Sequence, residues 1–281
     1  MAGSPGRRPI SRTSSGAPSD LPHRRKLYGR RKGPSLSAHQ AELLETLLPR
    51  LALIPRPGLD PREYFPPSVV EAAVWLEIGF GAGEHLIRQA RSHPDTGIIG
   101  VEPYVAGVAK LLSKLNPPSD ALRAPPPQAG EEKSAGPLSS PVYGGSPAEG
   151  RGGGDRNIRL YTEDARDIIA ALPDASLGRV FILFPDPWPK TRHRKRRFIQ
   201  MAMLDELARV MAKGAELRFA TDDSGYLAWA LERLVAHPKF RWLADCAHDW
   251  RTRPPDWPET RYEAKAIRQG RLCTYLKFKR I

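Results

Sequence analysis

Phe181-Ile182-Leu183-Phe184-Pro185-Asp186-Pro187-Trp188-Pro189-Lys190 decides the fold. The apolar run 180–184 has no polar break and predicts a buried strand. Two prolines then flank a carboxylate. Proline has no N–H to give a central strand, so pairing stops there and Asp186 and Trp188 are presented at the strand end. Ligands of open α/β sheets bind in the crevice outside the carboxyl ends of the strands. An acid, an aromatic and a cation meeting there suit a planar, polar group. The cationic run Arg192-His193-Arg194-Lys195-Arg196-Arg197 follows and suits phosphates. The rival reading is an ordinary strand-to-helix loop with a solvated basic helix start.

Upstream, Val74-Trp75-Leu76-Glu77-Ile78-Gly79 reads as the first core strand. It runs into Gly79, Gly81 and Gly83, then a helix to about Ser92. Strand, glycine turn and helix form a nucleotide-type platform, with glycines allowing close approach of the backbone to a ligand. The spacing G-x-G-x-G differs from the G-x-G-x-x-G of dinucleotide enzymes. Glu77 would repel a pyrophosphate and attract a cation. That favours S-adenosylmethionine, which carries an ammonium and a sulfonium and no phosphate. The second strand, Ile98-Ile99-Gly100-Val101, ends in Glu102, 19 residues beyond Gly83, where an acid can take ribose hydroxyls. A third strand, Ile158-Arg159-Leu160-Tyr161, ends near Asp164, which can accept from an adenine amine. The plainer readings are a solvent-facing end residue for Glu77 and a helix N-terminal charge for Glu102, and at the third strand Asp167 is a rival that supports the helix dipole.

The chain has 281 residues and 40% hydrophobic content, enough for one sizeable domain, while 29 prolines and 24 glycines imply additional unfolded sequence. Net charge is +13, of which residues 1–34 carry +8 (nine Lys/Arg against Asp20). That arm predicts a polyanionic partner, nucleic acid first. No apolar run of about 18 residues is present, so no membrane partner is expected. Cys246 and Cys273 form no CxxC pair. A disulfide scaffold or metal site is therefore not expected, and a cytoplasmic location is.

The expected organisation is a disordered basic arm at 1–34 and a domain at 35–281. Within that domain, residues 117–156 are a disordered Pro/Gly/Ser-rich insertion whose charges nearly cancel. A helix is predicted over 37–53, another over Val105–Leu115 and a third over 197–211. Glu216-Leu217-Arg218-Phe219-Ala220-Thr221 is the fifth strand, ending in Asp222-Asp223. A short strand at Phe240-Arg241-Trp242 and a last one over 272–278 complete the pattern. Tyr226 and Trp242 are assigned to packing, His85 to a helix surface, and residues 258–263 to a polar loop folding over the site.

Leu76-Glu77-Ile78-Gly79-Phe80-Gly81, Pro185-Asp186-Pro187-Trp188-Pro189-Lys190, the 194–197 run, Thr221-Asp222 and Thr260-Arg261-Tyr262-Glu263 occur in this order. Together they resemble the bacterial tRNA (guanine-N(7))-methyltransferase family over most of residues 37–281. The resemblance implies an α/β, Rossmann-like class I methyltransferase fold with a mostly parallel seven-stranded sheet. It implies S-adenosylmethionine as donor, no metal, and a variable-loop guanosine of tRNA as acceptor. Glu77, Gly79, Gly81, Gly83, Glu102, Asp164 and Asp186 fall at its cofactor positions. Lys190, Asp222, Thr260, Arg261, Tyr262 and Glu263 fall at its substrate positions, and Asp186 at the catalytic one. A monomer or homodimer without an obligate protein partner is expected. The rivals are a methyltransferase acting on an exocyclic amine of another nucleic acid, and a non-catalytic RNA-binding subunit that kept the fold. The long basic arm and the insertion depart from the family pattern.

Overall fold

The computed structural model describes residues 29, 31, 33–69, 73–117 and 156–281. The disorder expected of the basic arm over 1–28 and of the insertion over 118–155 concerns residues outside this set.

Seven strands form one sheet in the order β3-β2-β1-β4-β5-β7-β6. They are β1 (Val74–Ile78), β2 (Ile98–Val101), β3 (Ile158–Tyr161), β4 (Leu177–Leu183), β5 (Met211–Thr221), β6 (Phe240–Trp242) and β7 (Thr274–Arg280). β1 to β5 pair in parallel, and β7 runs antiparallel between β5 and β6. The strand order reverses between β1 and β4, so the switch-point crevice opens at their carboxyl ends. In register, Glu77 lies opposite Phe181 and Ile78 opposite Ile182, which puts the glycine turn beside Asp186.

Central parallel strands are buried on both faces, which is why residues 74–76 of β1 and 180–183 of β4 read as apolar runs. On one face Leu76, Ile78, Val180 and Ile182 pack in the larger core with Ile168, Leu204 and Leu207. On the other, Phe181 and Leu183 pack with Trp257 and Tyr275. A third cluster joins Leu43, Leu47 and Leu51 to Leu86 and Leu111.

The helices differ from expectation at three places, each for a local reason. The predicted 37–53 helix is split into α1 (Ala38–Thr46) and α2 (Leu48–Leu51). Ser37 and Gln40 make a capping box at its start, and Pro49 has no N–H to continue the ladder. After α3 (Glu84–Ser92), α4 (Val105–Leu115) and α5 (Ala165–Ala171), the predicted 197–211 helix is also divided. A 3₁₀ segment covers Thr191–Arg196, residues 197–200 are not helical, and α6 spans Met201–Val210. The break falls where Arg197 turns inward. Past α7 (Ser224–Ala236) and α8 (His248–Arg251), the polar loop expected at 258–263 holds only over 258–260, and 261–263 begin α9 (Arg261–Arg268). β5 begins at Met211 rather than Glu216, with a register break that leaves 212–215 out of the ladder.

Two contacts set the sheet ends. At the amino ends of the strands, Asn157 donates to the carbonyls of Ala90, His93 and Thr96 at 2.9, 3.0 and 3.1 Å, fixing where the chain re-enters β3. At the carboxyl ends, α4 approaches the glycine turn so closely that a Cβ on Gly107 would lie 2.4 Å from the Gly81 carbonyl oxygen. Gly107→Ala must push α4 off the turn. We expect it to lower the thermal midpoint by roughly 2–8 °C, measured by calorimetry.

Candidate functional site

The floor of the crevice is the glycine turn. Gly79, Gly81 and Gly83 have φ of +77°, +59° and +76°, the left-handed region that L side chains resist. A Cβ on Gly79 would meet nothing within 4 Å, so this residue faces open space. The turn is tied down by Lys114, which donates to the Ala82 carbonyl at 2.7 Å and to Glu84 at 2.6 Å.

Glu102 is buried beside it and accepts from the Gly81 N–H at 2.8 Å and the Tyr104 N–H at 2.9 Å. Burial pushes its carboxyl above the usual glutamate range. The two N–H groups oppose that shift, and the charges of Asp186 and Glu77 add to it. Glu77, at the end of β1, is 2% exposed and faces His85. Glu77, Gly81, Glu102 and Asp186 thus stand as one electrostatic cluster.

Asp186 itself has no hydrogen bond or ion pair among the described residues. Its side chain reaches the open cleft, yet the surrounding walls displace enough water to raise its carboxyl above the usual aspartate range. Phe184 and Trp188, on either side of it, have φ of +49° and +44°. Non-glycine residues in this region store strain that the surroundings must hold, a pattern concentrated at functional sites. Here the hold is visible. The Phe184 N–H donates to the Ala220 carbonyl at 2.8 Å. Arg197 donates to the Pro187 carbonyl at 2.8 Å and the Gly225 carbonyl at 2.9 Å, beneath the rings of Tyr226 and Trp229. Arg197 is 3% exposed. The basic run therefore divides: its last member clamps the Asp186 loop, while Lys190, Arg192, Arg194 and Lys195 face solvent.

The remaining predicted residues fall in two groups. Tyr262, on the first turn of α9, crosses the glycine turn, with ring carbon Cε2 3.0 Å from the Cβ position of Gly81. Its phenol is pushed up by burial and by the charges of Glu102 and Asp186, so it belongs to the acidic cluster. Asp222, Thr260 and Glu263 are engaged with the protein. Asp222 pairs with Arg271. Thr260 and Glu263 form the capping box of α9, and buried Glu263 accepts from the Tyr275 hydroxyl and lies 3.4 Å from Arg253. Arg261 is exposed. Asp164 caps α5 through the Arg166 N–H at 3.0 Å and pairs with the Arg166 guanidinium.

Three features escaped the sequence reading. His85 is not a surface histidine: it is 2% exposed and bonded to Glu77. The signal was its position on α3 one residue after Glu84, with Gln89 one turn on. Arg197 looked like its basic neighbours and is buried. The end of the basic arm lies over the site: Arg31 pairs with Glu163 at 2.6 Å, its carbonyl accepts from the Val105 N–H at 3.3 Å, and the Cβ position of Gly29 is 3.7 Å from Asp186. Tyr226, assigned to packing, is fully buried and accepts from the Phe198 N–H. Among the described residues, no group of three or more His, Cys, Asp or Glu could hold a metal ion, and no helix is long and apolar enough to cross a membrane.

A 3-2-1-4-5-7-6 sheet with one reversed strand, a glycine turn after β1 and acids at the tips of β1, β2 and β4 define a Rossmann-like class I methyltransferase. A family model described as a putative methyltransferase matches residues 71–276. A tRNA (guanine-N(7)-)-methyltransferase of Rhodospirillum rubrum is 47% identical over 261 residues, covering 91% of this chain and 88% of its own. One from Rhodopseudomonas palustris is 44% identical, covering 90% and 83%. The chain belongs to the tRNA (guanine-N(7)-)-methyltransferase family. A solved antibiotic-related methyltransferase aligns at 14% identity and TM-score 0.43, over 88% of this chain and 96% of its own. The fold assignment rests on the sheet order, not on that likeness.

The Arg197 clamp is testable on its own. Arg197 meets the two carbonyls with separate nitrogens, Nε and Nη1, and the single ammonium of lysine does not reproduce that fork, so Arg197→Lys loses a buried charge-assisted bond, a cost of about 1.5–3 kcal/mol. A thermal midpoint lowered by several degrees in a melting curve is the expected result.

Proposed function

We propose that this protein transfers a methyl group from S-adenosylmethionine to N7 of a guanosine in tRNA, in the variable loop. The observation that carries it is Asp186: a carboxylate at the switch point with no partner among the described residues, on a strained and clamped loop, facing the same crevice as Glu77 and Glu102.

The residues of the crevice suit the donor. Open space over Gly79 admits its backbone-hugging part, and Glu77 and Glu102 offer charge to an ammonium and to ribose hydroxyls. No phosphate would be tolerated among three carboxylates. Bound there, the donor supplies a methyl carbon on a positively charged sulfur. Guanine N7 carries a lone pair and no proton, so its attack requires no general base. The work is alignment of nucleophile, methyl carbon and leaving sulfur. As the N7–carbon bond forms and the carbon–sulfur bond breaks, positive charge passes to the purine. Asp186 then stabilises the transition state more than the ground state. Tyr262 offers a face for the base, and Lys190 and its exposed basic neighbours offer phosphate contacts. Asp222, Thr260, Arg261 and Glu263 shape the rim on this reading, and Asp164 sets the start of α5 at the adenine end. We take the protein to act in the cytoplasm, as a monomer or homodimer.

Asp186→Asn separates the charge from the fold. In the folded state Asp186 holds its proton more tightly than in the unfolded chain. Its contribution to stability is therefore lost as pH rises from the ordinary aspartate value of about 3.9 through the raised one, and stays unfavourable above. The asparagine variant should have an unchanged or higher thermal midpoint at neutral pH, yet methylate bulk tRNA on the order of 100-fold more slowly. The assay is single-turnover transfer of labelled methyl, followed by strand cleavage specific for N(7)-methylguanosine. Label on an exocyclic amine would replace this reading with another acceptor. Binding of tRNA without transfer would leave a binding subunit.

The divided basic run predicts a second contrast. Arg194→Ala, in the exposed part, should reduce the slope of log affinity for tRNA against log salt by about one and leave stability alone. Arg197→Lys should do the reverse.

A further inference from the structure

The glycine turn is backed by a hydrogen-bonded chain that joins Glu77 to two side chains the reaction above does not use, His85 and Gln89. Glu77 Oε2 lies 2.8 Å from His85 Nδ1. His85 Nε2 lies 3.2 Å from Gln89 Nε2, and that same amide nitrogen donates to the Asp256 carbonyl at 3.0 Å. Glu77, His85 and Gln89 are each 2% exposed. The imidazole is wedged edge-on against Phe181, with centroids 4.7 Å apart, and 6.5 Å from Trp257. Asp256 in turn is held by Arg218 at 2.8 Å.

This chain has only one consistent set of protons. The Asp256 carbonyl can only accept, so the Gln89 group facing it must be the NH₂. The NH₂ also faces His85 Nε2, which must therefore accept and carry no proton. The proton then sits on Nδ1 and is donated to Glu77. His85 is neutral, in one tautomer, and Glu77 is the anion. The second carboxylate oxygen of Glu77 has no partner among the described residues and is left for the crevice.

We propose that His85 is a positioning residue for Glu77, with Gln89 selecting its tautomer. A buried carboxylate without a donor would either take up a proton or swing toward another N–H. With His85 in place it stays charged and aimed, so that the ammonium of the bound donor meets a full negative charge. Metal sites use the same logic when an outer partner fixes the tautomer of a histidine. The inference rests on the glycine turn being the S-adenosylmethionine site.

The test is calorimetric titration of the full chain with two ligands. S-adenosylmethionine carries the ammonium, and 5′-methylthioadenosine keeps the adenosine and lacks it. His85→Leu should weaken S-adenosylmethionine binding by about tenfold or more and leave 5′-methylthioadenosine unaffected. His85→Asn, which keeps an N–H near the Nδ1 position, should recover most of the loss. In a Glu77→Gln background, His85→Leu should add little further loss. Equal weakening of both ligands, or failure of asparagine to rescue, would show a packing role only and overturn the proposal. So would unchanged S-adenosylmethionine affinity in His85→Leu. If the wild-type chain binds neither ligand, the donor-site reading falls and this inference with it. Wild-type binding with an indifferent leucine variant removes this inference alone.

Discussion

Three carboxylates converge where the sheet order reverses, and their mutual repulsion is the constraint the site is built against. The charges of Asp186 and Glu77 both raise the energy of the charged form of Glu102. The protein answers with neutral donors rather than cations. Two backbone N–H groups serve Glu102, and an imidazole N–H serves Glu77. Arg or Lys in those places would have cancelled the field that a cationic ligand needs. Asp186 has no donor among the described residues, and its loop is restrained by other means.

That restraint comes from the periphery. Arg197 and the Ala220 carbonyl hold two left-handed residues on either side of Asp186, so a surface-like basic run carries an internal fastener. The α9 start works in the same way. The Thr260 and Glu263 capping box and Tyr275 fix the helix end that lays Tyr262 across Gly81. Residues expected to touch substrate thus also hold a neighbour in position.

The sheet and the crevice were legible because they follow from local chemistry. Apolar runs at 74–76 and 180–184 marked β1 and β4, proline ended β4, and acids stood at or just beyond the ends of β1, β2 and β4. Other features depended on contacts between distant segments. Nothing adjacent to Arg197 says that Gly225 will lie within reach, and a helix containing it is the natural reading of its neighbourhood. His85 was misplaced because a polar residue in the first turn of a helix is usually solvated. Only the packing of Phe181 and Trp257 over it reverses that. Residues 260–263 were read as a loop because the capping box that starts α9 lies within the very segment taken as irregular.

Asn157 has a consequence for how this fold accommodates change. By gripping three carbonyls after α3, it fixes the point at which the chain returns to the sheet, and α4 ends at Leu115 with its cap on Asn116. Departure and return both lie on the rim away from the crevice. The entropy of closing a loop grows only with the logarithm of its length. A change in the number of residues between those two asparagines therefore costs little stability and falls at the end of the sheet opposite the crevice.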